Sequence, residues 1–572
     1  MNAAGERAKP LHVALSAGLY ALFAVFLVWP IVEVVRGGFV GRGGRPTLEF
    51  LALVFRDPVL RGGLLNALLI AVLVTALALV ISLPLAVLSV RYEFPGRRFL
   101  SGLLLVPLVL PPFVGAIGMR LVLGRFGPLS QLLGAEEGID WLGKYRLAGI
   151  VVVEALHLYP VLLLNLQAAL ANIDPAMEQA ALNLGAGRFT VFRRITLPMV
   201  RPGLFAGATL VMIWSFTELG TPLMFSYYEV TPVQVFHLLT DVATSPVPYA
   251  LVVVMLAASA GLYVVGKAVL GRTIDAATTK ASVAGATKRL PFGAAASATA
   301  FFAAVIGLAI LPHLAVLLTS ITSTGAWYRE LLPSDWTLNH YRQALVDELA
   351  FPSIRNSLVY ASLATLASAG VGLAAAVVIV RSTVPGRGII DALCMLPLAV
   401  PGLVLAFGYL AISIGIKRNL GERTPFWLDA QEWPVALLVV AYAARRLPYV
   451  VRSAVAGLQQ TPRDLELAGA NLGAGRATVL ARITVPLILA NLVAGGLLAF
   501  AFAMLEVSDS LVLAQRSKYY PITKAILDLS QRLGDGPYIA SALGVWAMLL
   551  LTLTVLAANS LLGRKMGAVF RV

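Results

Sequence analysis

The sequence predicts an all-α polytopic membrane protein, with about twelve transmembrane helices in two homologous, parallel six-helix halves. Three observations carry this. Of 572 residues, 59% are hydrophobic and 13% charged, where soluble domains carry about 25% charged residues. The apolar residues cluster in runs of the roughly 20 residues that a bilayer-crossing helix needs. The second half of the chain also repeats the first.

In chain order the runs are 11–35, 64–90, 99–123, 148–170, 203–224, 248–270, 292–320, 356–380, 389–414, 434–457, 491–514 and 538–562. The first is too long for a signal peptide, and no small-residue cleavage site follows it. Near the end of the sixth, Gly261–Ala268 almost matches a phosphate-binding loop. Ala268 stands where a magnesium-binding hydroxyl is required, and the run is apolar throughout, so it is read as the inner end of a span. The connecting loops are too short for a soluble domain. The formal net charge of +15 is read as Lys and Arg in short inner loops facing anionic lipid, not as nucleic-acid binding. With the N-terminus inside, the Lys and Arg bias favours the inner side mildly. The single cysteine, Cys394, excludes an intrachain disulfide and a Cys-based metal site, and its apolar surroundings predict burial. The five histidines are scattered singly. No nucleophile elbow, zinc-protease pattern or ligand cluster stands out, so neither catalytic residues nor a cofactor are expected, and metal ligation stays open.

Self-comparison is the most informative step. Asn66, Arg91, Pro95-Gly96-Arg97, Pro107, Pro111 and Gly118 match Asn356, Arg381, Pro385-Gly386-Arg387, Pro397, Pro401 and Gly408, each offset by 290. Asn183–Arg188 recurs letter for letter at Asn471–Arg476, offset by 288, as do Arg194-Ile195-Thr196 at Arg482-Ile483-Thr484 and Glu218 at Glu506. An even number of spans per half gives both the same orientation, so the repeat is parallel. Residues 1–270 are read as the first half and 292–572 as the second. The small, polar, basic segment 271–291 is read as a cytoplasmic linker.

The repeated inner loop is a helix–turn–helix knob. Asp174 is a good N-cap and Pro175 suits the first helical position. Gly185 takes the left-handed conformation that ends the helix, and a second helix runs to Pro198. In the other half Thr461 caps, Pro462 starts, Glu466 sits inside and Gly473 stops.

This loop resembles a known pattern: Glu-Ala-Ala, three residues, Gly, nine residues, Ile, one residue, Leu-Pro. It marks the membrane subunits of bacterial ABC importers. Gly185, Ile195 and Leu197-Pro198 keep its spacing, as do Gly473, Ile483 and Pro486. Gln179 replaces the consensus Glu, with Glu178 beside it. Leu467-Ala468-Gly469 replaces Glu-Ala-Ala, and Val485 replaces Leu. The resemblance implies a permease in the bacterial cytoplasmic (inner) membrane, a homodimeric ATPase on a separate chain, and an extracytoplasmic binding protein. It would place Glu178, Ala180, Ala181, Gly185, Glu466, Ala468 and Gly473 in ATPase-coupling loops. Two motifs in one chain look like the ferric-iron permeases and their thiamine, polyamine and phosphonate relatives. Thr217–Pro222 and Arg446–Tyr449 look most like the ferric branch. An ion-gradient-driven secondary transporter shares the span count and repeat, but does not predict the duplicated knob. A non-transport membrane protein is the remaining alternative.

Ionisable groups inside spans are costly and often functional. Arg120, Glu154, His157, Glu218, Arg445, Arg446, Glu506 and Asp509 qualify. The repeat would set Glu218 and Glu506 across a central path, with Asp509 nearby and Arg120 as a gate partner. Arg445, Arg446 and Arg452 are expected near the cytoplasmic end, supporting the knob. Among outer-loop aromatics, Tyr227, Tyr228, Trp327, Tyr328 and Trp433 suit either the bilayer interface or a docking protein.

Overall fold

The computed structural model describes residues 10–41, 44–109, 112–270 and 287–562. The first half holds α1 (Pro10–Gly38), α2 (Pro58–Arg91), α3 (Arg97–Leu103), α4 (Pro112–Val122), α5 (Arg146–Ala171), α6 (Pro175–Asn183), α7 (Arg188–Phe216), α8 (Gly220–Met224) and α9 (Val247–Leu270). The second holds α10 (Phe292–Ser320), α11 (Ala350–Arg381), α12 (Arg387–Ala399), α13 (Gly402–Leu420), α14 (Val435–Gln460), α15 (Arg463–Asn471), α16 (Arg476–Met504), α17 (Ser508–Leu513) and α18 (Gly536–Leu562). Short helices fill the outer loops.

Among the described residues, ten helices are long and apolar enough to cross a membrane, or eleven with one bent pair counted as a span. Twelve were expected. The run 99–123 is that bent pair, turning by 97°. The run 434–457 is α14, long enough to cross, but its arginines 445, 446 and 452 take it below the apolar content of a span. The phosphate-loop look-alike lies inside continuous α9, and Cys394 is buried.

Proline sets the local irregularities. Three π turns, at Ala24–Val28, Phe192–Thr196 and Leu480–Thr484, each end two residues before a proline, at Pro30, Pro198 and Pro486. A proline lacks the amide N–H and crowds the carbonyl four residues back, and a widened turn absorbs both. Pro198 therefore does not stop its helix as the sequence suggested. The helix runs unbroken from Arg188 to Phe216, which fixes the knob rigidly to a span.

The first span of each half packs on the other half. α1 lies against α11, α12 and α13, and α10 lies against α4. Leu19, Phe23 and Leu27 of α1 share a buried cluster with Val378, Ile390, Cys394 and Val451. The repeated glycines mark the crossings. A Cβ on Gly118 would stand 2.5 Å from the Val316 backbone nitrogen of α10. One on Gly408 would stand 2.6 Å from the Pro30 carbonyl oxygen of α1. Neither backbone can give way. At the inner side, β1 (Tyr92–Glu93) pairs in parallel with β2 (Lys288–Arg289), and the Thr287 hydroxyl donates to Glu93 at 2.7 Å. The rest of the expected linker, 271–286, and the repeat residue Pro111 lie outside the described residues.

The outer ends of α2 and α11 are capped alike. Asp57 accepts from the amides of Val59 and Leu60 at 2.8 and 3.0 Å. Asp347 accepts from Leu349 and Ala350 at 2.8 and 2.9 Å, and Arg532 adds a 2.8 Å ion pair to Asp347 alone.

Two outcomes are expected. Gly118→Val or Gly408→Val should lower the melting temperature of the purified protein in detergent, at an overpacking cost of about 1–3 kcal/mol. An unchanged melt would remove the close crossing. For Asp347, burial works to raise its pKa, but the Arg532 bond and the two amide bonds prevail and hold it below the ordinary aspartate value. A depressed folded pKa gives stability that is full above the unfolded value of about 3.9 and lost as pH falls through the lower folded value. Melts taken down through that acid range should show Asp347→Asn flattening the loss. A curve identical to wild type would dismiss the contribution.

Candidate functional site

Each knob is a short helix closed by a left-handed glycine and anchored by a partly buried ion pair. Asp174 caps α6, accepting from the Ala176 amide at 2.9 Å. Gly185 has φ +85° and Gly473 φ +86°. Behind them the amides of Gly185 and Ala186 bond to the carbonyls of Leu182 and Ala181, both at 3.0 Å, the paired bonds of a glycine-closed helix end. α15 starts differently from expectation. Thr461 provides no side-chain cap, because its hydroxyl donates back to the Gly457 carbonyl at 3.0 Å. Gly469 explains one departure from the repeated motif: a side chain there would strike Ile483.

Glu178 and Glu466 point into the protein. Arg91, in the last turn of α2, meets Glu178 at 2.9 Å, and the Thr196 hydroxyl donates to the same oxygen at 2.7 Å. In the second half Arg381 meets Glu466 at 3.0 Å, with Thr484 at 3.2 Å. Arg381 also holds the Thr461 carbonyl at 3.0 Å. Both arginines were visible as repeat positions, but their role was not, since nothing in sequence links residues nearly 90 apart. The knob surface is left to other residues. Ala180 and Ala468 are exposed, Ala181 half-buried, and Leu184 and Leu472 are 88% and 89% exposed at the tips.

The second feature is a cavity of about 270 Å³ between the halves. α5 supplies Glu154 and His157, α14 supplies Arg445, Arg446 and Arg452, and the broken ends of α7 and α16 supply Glu218 and Glu506. The breaks before α8 and α17 bring irregular backbone to membrane depth, tolerated where it lines a cavity. Glu218 caps α8, accepting from the amides of Gly220 and Thr221 at 3.1 and 3.2 Å. Its repeat partner Glu506 has other company. It bonds Arg446 tightly and stands 3.1 Å from Arg445. Asp509, 1% exposed, lies 3.8 Å from Arg445 and makes no hydrogen bond. Glu154, also 1% exposed, accepts from the Ser215 hydroxyl at 2.5 Å, while its other oxygen has no partner. His157 Nδ1 sits 2.9 Å from the Pro107 carbonyl.

Three expectations change. Arg445 and Arg446 lie in the middle of α14 and face the cavity, not the cytoplasmic end; their partner is at the break of α16. Arg452 alone sits further in, 3.3 Å from Asp391 of α12. Arg120 is no gate partner. It lies near the outer end of α4, in the field of Tyr228, away from the cavity lining. Among the described residues no three His, Cys, Asp or Glu are grouped to hold a metal ion. At the outer face the two halves touch through Phe126, with Tyr328 at 5.7 Å between ring centres and the Arg329 guanidinium 4.3 Å above the ring. Tyr328 is exposed there, while Trp327 is buried.

With this geometry in place, the chain matches the model of the family described as "Binding-protein-dependent transport system inner membrane component" twice, over residues 78–231 and 368–567. The ferric transport system permease protein FbpB of Actinobacillus pleuropneumoniae is 26% identical over 545 residues, 91% of this chain and 74% of that one. The molybdenum transport system permease protein ModB of Escherichia coli is 37% identical over 164 residues, 28% of this chain and 71% of that one.

The anchors make a local prediction. Glu466→Gln removes a charge partner from Arg381 in a mostly buried setting, where hydrogen bonds to charged groups contribute about 1.5–3 kcal/mol. Hydrogen exchange of the amides at 463–474 should accelerate, with the exchange of α11 unchanged. Equal protection in both proteins would remove the anchoring role.

Proposed function

The chain belongs to the family of binding-protein-dependent transport system inner membrane components, and from that premise we propose that it imports ferric iron. It is a multi-pass inner-membrane permease of an ABC importer, with both permease halves in one chain. The proposed halves are 1–270 and 292–572, joined by the linker 271–291. The observation that carries the reading is the duplicated knob. Two copies share the turn Asn-Leu-Gly-Ala-Gly-Arg letter for letter. Each exposes a leucine at its tip and is tied to its own span by an Arg–Glu pair. Knobs with the same turn and the same anchor suit like sockets, so the partner is a homodimeric ATPase on another chain. Closure of that dimer would move the knobs together, and the rigid α7 and α16 would carry the movement to the breaks at Glu218 and Glu506. The cavity then opens alternately to the two sides.

The substrate assignment is supported by the FbpB relative, which is like this chain over nearly its whole length, while the ModB likeness spans one segment. The cavity chemistry agrees. Glu154, Glu218 and Glu506, which line the cavity, offer hard oxygen donors that suit a highly charged cation in passage. An extracytoplasmic binding protein would deliver the ion to the outer face. The permease itself does no bond chemistry.

The test is ATPase activity of the chain reconstituted with its ATPase and binding protein. Ferric-loaded binding protein should stimulate hydrolysis. Leu184→Glu with Leu472→Glu should abolish the stimulation, because the tips are exposed and the fold does not need them. Gly185→Pro with Gly473→Pro should do the same by breaking the turns. Stimulation by thiamine, a polyamine or a phosphonate in place of iron would overturn the substrate. Uptake driven by an ion gradient with no ATPase would overturn the importer.

A further inference from the structure

The inner ends of the two halves differ in charge at matched positions. Arg98 follows the repeated Pro95-Gly96-Arg97, and Gly388 takes its place in the second half. Arg201 corresponds likewise to Leu489. Base gathers at the foot of α3 in particular. There the pairing of β2 with β1 sets Lys288 opposite Tyr92 and Arg289 opposite Glu93.

Local bonds hold this cluster together. The Arg97 guanidinium donates to the Tyr92 carbonyl at 2.8 Å. The Leu290 amide donates to the Glu93 carbonyl at 3.1 Å, which fixes the chain just before α10 begins. Phe94 meets Phe302 of α10 edge-to-face, with 5.1 Å between ring centres. Arg97, Arg98 and Arg289 all lie in the field of the Glu93 carboxylate, and the Thr287 hydroxyl bonds it as well. Arg98, Lys288 and Arg289 are exposed. None of the three enters an ion pair among the described residues. The cluster therefore keeps an excess of positive charge.

The cations border bare apolar surface. Phe99 is 71% exposed and Phe292 90% exposed. Phe99 follows Arg98 where the third run enters the membrane, and Phe292 opens α10, itself long enough to cross. Both rings stand at the inner membrane interface, where aromatic side chains settle. Cations at headgroup level beside exposed rings match one kind of molecule, an anionic phospholipid. A soluble anion would need the cations alone. We propose that the feet of α3 and α10 form a seat for one anionic phospholipid of the inner leaflet. Arg98, Lys288 and Arg289 hold its headgroup, and its acyl chains rest on Phe99 and Phe292. α3 belongs to the first half and α10 opens the second, so the lipid joins the halves on the inner side of their crossing at Gly118. The second half lacks the seat, because Gly388 and Ile389 replace Arg98 and Phe99. The inference is independent of which substrate is carried.

The test is native mass spectrometry of the purified full chain. It is released from nanodiscs holding equal parts of dioleoyl phosphatidylglycerol and dioleoyl phosphatidylcholine. Wild type should retain one phosphatidylglycerol in preference to phosphatidylcholine. Arg98→Gln, Lys288→Gln and Arg289→Gln should each weaken that preference about fivefold, the scale of one basic residue at an anionic surface. Phe99→Ala with Phe292→Ala should weaken it with every charge in place. Arg201→Gln with Lys267→Gln removes two other charges of the inner face and should leave it as in wild type. The substituted side chains are all exposed, so melts in phosphatidylcholine alone should match wild type. Equal retention in wild type and the three glutamine variants would overturn the proposal. So would an equal loss in the Arg201 and Lys267 variant, since net charge would then be the cause. Phenylalanine variants that bind as wild type would reduce the seat to a bare anion site and overturn the lipid. Glutamine variants that keep the lipid but no longer assemble with the ATPase would assign the cluster to a protein partner instead.

Discussion

A charge in an apolar wall must be neutralised by the chain that put it there. The bilayer core offers no water to solvate a carboxylate or a guanidinium, and isolated charges at that depth are costly. Much of the architecture answers this demand. At the inner ends of α2 and α11, Arg91 and Arg381 are neutralised by glutamates reaching up from the knobs. In the middle, Arg445 and Arg446 are neutralised by Glu506 and Asp509. Removing either partner would strand the other, which is why such pairs fix geometry even where their net contribution to stability is small. The inner pairs join knob to span, and the central pairs join α14 to the broken end of α16. Both join elements that a transport cycle must move as one.

Breaks in the helices follow the same logic. A long apolar helix has no reason to stop inside a membrane, because each backbone group is satisfied within it. Here prolines and glycines interrupt the third span of each half, and the fifth spans end short at Thr217 and Leu505. The freed backbone lines the cavity or is capped, as Glu218 caps α8. Where a proline would interrupt a helix that must transmit movement, a π turn keeps it continuous, as in α7 and α16. The swapped first spans, crossing at Gly118 and Gly408, tie the halves together so that the cavity between them stays a single chamber.

Much of this was legible in the sequence because its causes are local. The Asp174-Pro175 start and the Gly185 and Gly473 stops need only neighbouring residues, and the structure has all of them. The repeat also located the crossing glycines, though not what they cross. What failed depended on distant partners. Thr461 has the chemistry of a cap, but Arg381 and the Gly457 carbonyl engage its backbone and hydroxyl instead. Pro198 reads as a stop until the helix is seen to widen around it. Arg445 and Arg446 looked like inner-end arginines because their depth is set by where α14 packs, not by their distance from a loop. Arg120 was grouped with Glu218 by type alone, and folding took it to the outer end of α4. The contact of the Arg445 guanidinium with Gly402 has no sequence signature, since a glycine after a proline reads as a turn.

The two halves diverge in one place and agree in another, and the pattern is itself a physical statement. The knobs keep the same turn, the same glycine conformation and the same Arg–Glu–Thr anchor. Among the cavity-lining positions Glu218 and Glu506 still correspond, but Glu154 corresponds in the repeat to Tyr442 and His157 to Arg445. Two like contacts at the inner face are what a symmetric partner requires. A single ion in a single chamber imposes no such symmetry, because it meets both halves at once and needs only their sum. A fused chain is free to draw acids from both halves and both arginines from the second alone. That freedom shows at Arg445, whose ion pairs are with Glu506 and Asp509 of its own half while His157 holds the corresponding place in the first.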